Sequence, residues 1–202
     1  RAGRSRQEQT EVHIILARAL SPDRSMQLQS LGRIRELIEA NDPVSRFPEV
    51  TEIISLVALA PHRLQRSGAV APPADGIPDA GVRLEAVELL GRIGGPQAYD
   101  VLVEVLTVEE DAAVRRAAVS ALPGLGVRPG DELPGVLARV LEESHGDPRS
   151  VLAVLHAVDR LHGRYGFMDR PVLFIEVMEV AQGPYPRRVR TEAFELVETL
   201  RR

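Results

Sequence analysis

The 202-residue sequence has no cysteine and no tryptophan, and all 25 of its Lys/Arg residues are arginine. Each absence closes a chemistry. Without Cys there is no disulfide, no thiolate zinc site and no thiol nucleophile. Without Lys there is no phosphate-binding loop of the Gly-Lys-Ser/Thr kind, no Schiff-base enzyme and no kinase built on a strand lysine. Aromatic side chains are scarce, being Phe47, Tyr99, Tyr165, Phe167, Phe174, Tyr185 and Phe194. The core must therefore be assembled from Leu, Val, Ile and Ala, which suit close helix-on-helix packing. No stretch approaches the roughly 18 to 20 continuous apolar residues of a membrane helix, so a soluble chain without a span is expected. The formal net charge of −4 supplies no general attraction to phosphate backbones and disfavours nucleic acid as the partner. The chain opens on Arg1 rather than Met, as expected of a processed or excised segment.

What the sequence does have is repetition. Asp79-x-x-Val82-Arg83-x-x-Ala86-x-x-Leu89-Leu90 returns 32 residues later as Asp111-x-x-Val114-Arg115-x-x-Ala118-x-x-Ala121-Leu122, with a shortened echo at Val189-Arg190-x-x-Ala193-x-x-Leu196-Val197. A period of this size is the mark of stacked helical hairpins. At 100° per residue, positions 82, 86, 89 and 93 share one side of a helix, and Ala86 and Ala118 are small enough to let a neighbouring helix approach.

Apolar spacing and punctuation predict helices over about 8–20, 23–40, 47–60, 79–94, 97–107, 111–123, 132–144, 147–162, 170–182 and 186–201. Ser21-Pro22 reads as a cap followed by proline at the first helical position, Asn41-Asp42-Pro43 as a stop, and Pro61 as the end of the third helix. Gly94, Gly124, Gly146 and Gly183 fall where helices should end. Residues 63–80, rich in Pro, Gly and Ala, read as an exposed loop inserted within the second hairpin. The sum is an all-α chain forming a single α-solenoid of about five antiparallel helical hairpins over residues 1–202.

At the Val-Arg-x-x-Ala core, with its Asp three residues upstream, the sequence resembles HEAT repeats of the short bacterial kind. The resemblance is clear over about 79–126, plausible over 147–201, and reduced to helical rhythm over 1–60. Met26-Gln27-x-x-Ser30 and Ser150-Val151-x-x-Val154 keep the apolar logic without the polar signature, and the last hairpin has no Asp aligned with Asp111. The resemblance implies a superhelix whose second helices line a concave surface. It also implies that Asp79, Arg83, Asp111 and Arg115 form a structural ladder between repeats, through the readiness of arginine to pair with carboxylates.

Candidate chemistry is thin. None of the five histidines, at 13, 62, 145, 156 and 162, is followed by Glu, whereas HEAT-repeat metalloenzymes similar to deoxyhypusine hydroxylase bind iron through His-Glu pairs. His156 and His162 lie about 120° from a shared helical face, and the histidines read as satisfied surface groups. No metal, cofactor, catalytic residue or small-molecule substrate is therefore assigned. A likeness to HEAT-like DNA glycosylases lacks the basic groove and the aromatic residues that would hold an extruded base. A likeness to phycobilin lyases rests on the repeat type alone. The clusters Arg1, Arg4, Arg6 and Arg187, Arg188, Arg190 read as solvated faces.

The side opposite the packing stripe selects Glu85, Glu88, Arg92, Ser120, His156, Arg160, Glu192 and Glu195 as candidate partner-binding residues. That face is mixed but mainly acidic, which suits a partner protein presenting a basic segment. The expected function is a non-enzymatic scaffold that holds another protein. The alternatives are a substrate-gripping accessory subunit of an enzyme, lyase-like or a modification factor, and then a nucleic-acid binder. Loop 63–80, through Val70 and Ile77, competes as a docking element.

Overall fold

The computed structural model describes residues 5–66, 77–126, 132–166 and 171–201. These form ten α-helices: α1 (Arg6–Ala19), α2 (Arg24–Glu39), α3 (Pro48–Arg66), α4 (Ala80–Ile93), α5 (Gly95–Val108), α6 (Ala112–Leu125), α7 (Leu133–Glu143), α8 (Pro148–Tyr165), α9 (Pro171–Gln182) and α10 (Arg187–Leu200). A short 3₁₀ turn, Pro43–Arg46, joins α2 to α3, and no strand occurs among the described residues. The class is all-α, and the architecture is that of an α-solenoid. Among the described residues no helix is long and apolar enough to cross a membrane.

The chain divides into two compact units, residues 1–117 and 118–202, and the division falls within α6. In the first unit α1 packs on α2 and α3 on α4, while α3 also touches α1 and α5, and α2 touches α4. First helices of successive hairpins thus form one layer and second helices another. The second unit repeats the scheme, with hairpins α7–α8 and α9–α10, α7 against α9 and α8 against α10. Hairpins stacked in this way bury apolar faces that no single hairpin could cover.

The repeated sentence lies in these contacts. Val82, Ala86 and Leu89 of α4 are fully buried, as are Val114, Ala118 and Leu122 of α6 and Ala193 of α10. Val87 and Leu90 are buried too, because a second helix meets both its hairpin partner and its counterpart in the next hairpin. In α2 the Ala position is taken by Ser30, whose buried hydroxyl donates to the Ile15 carbonyl at 2.8 Å. A small polar residue therefore substitutes for alanine by finding an acceptor across the hairpin.

Several boundaries differ from the sequence reading. Helix α3 continues through Pro61 to Arg66. An interior proline costs about 3 kcal/mol through one lost hydrogen bond and a crowded turn, and three preceding turns anchored by buried Val50, Ile53, Ile54, Val57 and Leu59 outweigh it. Part of the expected loop 63–80 is thus helical at both ends, and residues 67–76, including Val70, lie outside the described residues. The cap of α2 is Asp23 rather than Ser21: its carboxylate accepts from the Ser25 and Met26 amides, and Ser21 Oγ accepts from the Asp23 amide. Helix α6 runs past Pro123 and Gly124 and ends before Gly126, whose φ is +97°. Met26 and Leu20, read as stripe residues, are exposed.

One joint is unusually short. Gly94 ends α4 at φ +69°, and Gly95, at φ +83°, opens α5 with Pro96 behind it. Two successive left-handed residues suit only glycine, so the pair can reverse the chain with a single residue between helices.

Candidate functional site

In the first unit the second helices meet through ion pairs. Arg35 of α2 pairs with Glu85 of α4, Arg92 reaches Glu39 at 3.0 Å, and Arg24 Nε donates to Asp79 Oδ2 at 2.5 Å. Two of the eight residues selected from the sequence, Glu85 and Arg92, are therefore engaged within the chain. Glu88 is exposed on the same helix, with no ion pair among the described residues. Exposed pairs such as Arg92–Glu39 contribute about 0–1 kcal/mol each, so they order the face more than they stabilise it.

Asp79 is first of all the cap of α4, accepting from the Val82 amide at 2.9 Å. That bond holds its carboxyl below the usual range, and Arg24 pushes the same way against the effect of burial. Asp111 plays the matching part for α6, accepting from the Ala113 and Val114 amides. Arg83 donates through Nε to Glu109 Oε2 at 2.7 Å and through Nη2 to Oε1 at 2.9 Å, and through Nη1 to the Pro78 carbonyl at 2.9 Å. Asp79 and Asp111 act on it through space, and its guanidinium is held above the usual range chiefly by Glu109. Glu109, with a side chain only 2% exposed, also accepts from the Glu110 and Asp111 amides. The fork-on-fork pair thus ties the start of α4 to the turn between α5 and α6. Arg115 is half-buried beside this turn and is likewise engaged. Glu109 was not among the selected residues; the acidic run Glu109-Glu110-Asp111 was its only trace in the sequence.

In the second unit three of the selected residues come together. His156 of α8 and Glu192 of α10 meet at 2.5 Å, and Arg188 Nε donates to the other oxygen of Glu192 at 2.9 Å. Arg188 first, and then His156, hold the Glu192 carboxyl below its usual range. A cleft of about 440 Å³ lies between the two helices, lined by His156, Asp159, Glu192, Glu195 and Thr199 over a floor of Leu155 and Leu196. Asp159 was not selected from the sequence, although it lies three residues after His156 and so on the same face. Asp159 and Glu195 are exposed, with no ion pair among the described residues. Ser120 and Arg160 are exposed and line no part of this cleft.

His13 fits the expected satisfied surface group, being exposed and hydrogen-bonded to the Gln9 carbonyl within α1, but His162 carries a buried Nδ1 with no hydrogen-bond partner among the described residues. The His62 side chain lies outside the described residues.

Residues 71–156 match the family model of HEAT repeats. No curated protein and no solved structure matches the chain. HEAT repeats commonly serve as scaffolds for other proteins, which makes protein the expected class of partner. Over residues 71–156 the chain is similar to HEAT repeats, and the signature residues in that stretch lie on second helices whose Val, Ala and Leu positions are buried.

Proposed function

We propose that the chain is a non-enzymatic scaffold that holds a partner protein on the exposed face of its second helices, and that the α8–α10 cleft receives a basic segment of that partner. The observation that carries this reading is the cleft's charge. Three carboxylates, Asp159, Glu192 and Glu195, line it over an apolar floor, and among the described residues only Glu192 is neutralised, by Arg188 and His156. An arginine or lysine entering the cleft would meet Asp159 and Glu195 with its charge and lay its methylene stem on Leu155 and Leu196. In the first unit Glu88 offers a further exposed carboxylate, whereas Glu85 is already satisfied by Arg35.

The test is capture from native extract on immobilised chain, comparing wild type with Asp159→Arg/Glu195→Arg. Proteins held by the wild type should be lost from the variant, and peptides covering their basic segments should bind the wild type with an affinity that falls as salt rises. Equal capture by both proteins would remove the cleft from the account.

A further inference from the structure

In the second unit three metal-competent side chains, none expected as a ligand from the sequence, converge away from the α8–α10 cleft. Helix α7 ends at Glu143, and the turn 144–146 closes with Gly146 at φ +100° and the Asp147 amide donating to the Ser144 carbonyl at 2.9 Å. This turn carries His145. Helix α9, packed against α7, presents Glu176 and Glu179, which share a face because they lie three residues apart. One ligand atom from each of His145, Glu176 and Glu179 lies within 4.8 Å of the others.

A second observation points to the same place. The hydroxyl of Tyr185 is buried and has no hydrogen-bond partner. Its ring lies 6.2 Å from the His145 ring, centroid to centroid. A Cβ at Gly183 would come within 3.0 Å of the Tyr185 ring and 2.8 Å of the Glu179 carbonyl oxygen. The phenol ring thus stands beside the His145 ring.

We propose that His145, Glu176 and Glu179 bind a divalent transition-metal cation of the zinc type. Tetrahedral ligands at about 2.0–2.2 Å from one ion stand roughly 3.3–3.6 Å apart, so coordination draws these atoms together from a spread of up to 4.8 Å, a shift of about an ångström at most. His145 and Glu179 are exposed and free to make it. Two carboxylates cancel the charge of the ion, and the imidazole nitrogen selects zinc-like ions over magnesium and calcium, which prefer oxygen alone. The three ligands leave a coordination position for water, and a metal-bound water is a strong donor that the Tyr185 oxygen could accept. The ion would join the turn after α7 to α9 and so lock two successive hairpins together.

Calorimetric titration of the untagged full chain with zinc chloride tests this. One equivalent should bind saturably, and zinc should raise the melting temperature, because it binds the folded state. His145→Ala and Glu179→Gln should each weaken binding by at least about tenfold, since even residues that merely orient metal ligands contribute about 10–100-fold. His156→Ala, in the cleft between α8 and α10, should bind zinc as the wild type does. Both ligand substitutions are at exposed positions, and circular dichroism of each variant verifies that it is folded. No saturable zinc binding, an affinity unchanged in His145→Ala, or magnesium chloride binding as tightly as zinc would each overturn the assignment.

Discussion

The Glu109 carboxylate is the place where one substitution should cost most for its size. It accepts two hydrogen bonds from Arg83 and two from the Glu110 and Asp111 amides, with its side chain 2% and that of Arg83 13% exposed. Glu109→Ala removes the acceptor for all four donors and leaves a largely buried guanidinium held by the Pro78 carbonyl and the fields of Asp79 and Asp111. Breaking a fully buried pair from one side costs about 3–5 kcal/mol. The residual exposure of Arg83 and the two nearby aspartates place the expected loss at the lower end, about 3 kcal/mol. Glu109→Gln keeps one oxygen acceptor and the shape, so it should cost less, about 1–2 kcal/mol. Urea unfolding followed by circular dichroism reads the difference: at a slope of about 2 kcal/mol per molar, the Ala variant should unfold about 1.5 M earlier. The double variant Arg83→Met/Glu109→Leu should recover most of the loss, because two apolar groups leave no charge stranded. An unfolding midpoint for Glu109→Ala within error of the parent would refute the idea that this pair joins the repeats.

Two further outcomes can be checked alongside. Ala118 is fully buried at the small-residue position of α6, so Ala118→Arg should destabilise by about 3 kcal/mol or more through overpacking and an unpaired buried charge, read as a lowered thermal midpoint. The Asp79 carboxyl is held below the usual carboxylate range, first by the Val82 amide and then by Arg24. A depressed carboxyl adds stability that is present above its unfolded value and lost as pH falls through the folded one. The parent should therefore lose stability more steeply than Asp79→Asn as pH drops below about 4, and parallel stability–pH curves for the two would contradict the capping role.

Much of the helical framework was legible because packing obeys a simple period. Val82, Ala86 and Leu89 announce their burial through spacing, whereas Asp79 and Asp111, expected as rungs of a ladder between repeats, were not read as the caps that their bonds to the Val82 and Val114 amides make them. Termini were less legible where two local signals competed. Ser21 and Asp23 are both good caps, and only the geometry of the turn shows that Asp23 meets the helix amides while Ser21 supports Asp23. Pro61 carries a local stop signal that the burial of the preceding turns overrides.

The candidate sites were harder still, because they depend on which helices become neighbours. Its place opposite the packing stripe selected Glu85 for an outside partner, yet Arg35, 50 residues earlier, claims it. His145 and the two carboxylates on α9 come from different hairpins, and no spacing within one helix could have linked them.

The Gly94–Gly95 joint has a consequence for how this protein can vary. With one residue separating Ile93 from the first residue of α5, the connection has no slack. An added residue would have to be absorbed by unwinding part of a helix, and an exchange of either glycine for a side-chain-bearing residue would strain the backbone. Offset from one hairpin to the next is here written into the main chain, so drift in length should accumulate at other connections while this one stays the same size.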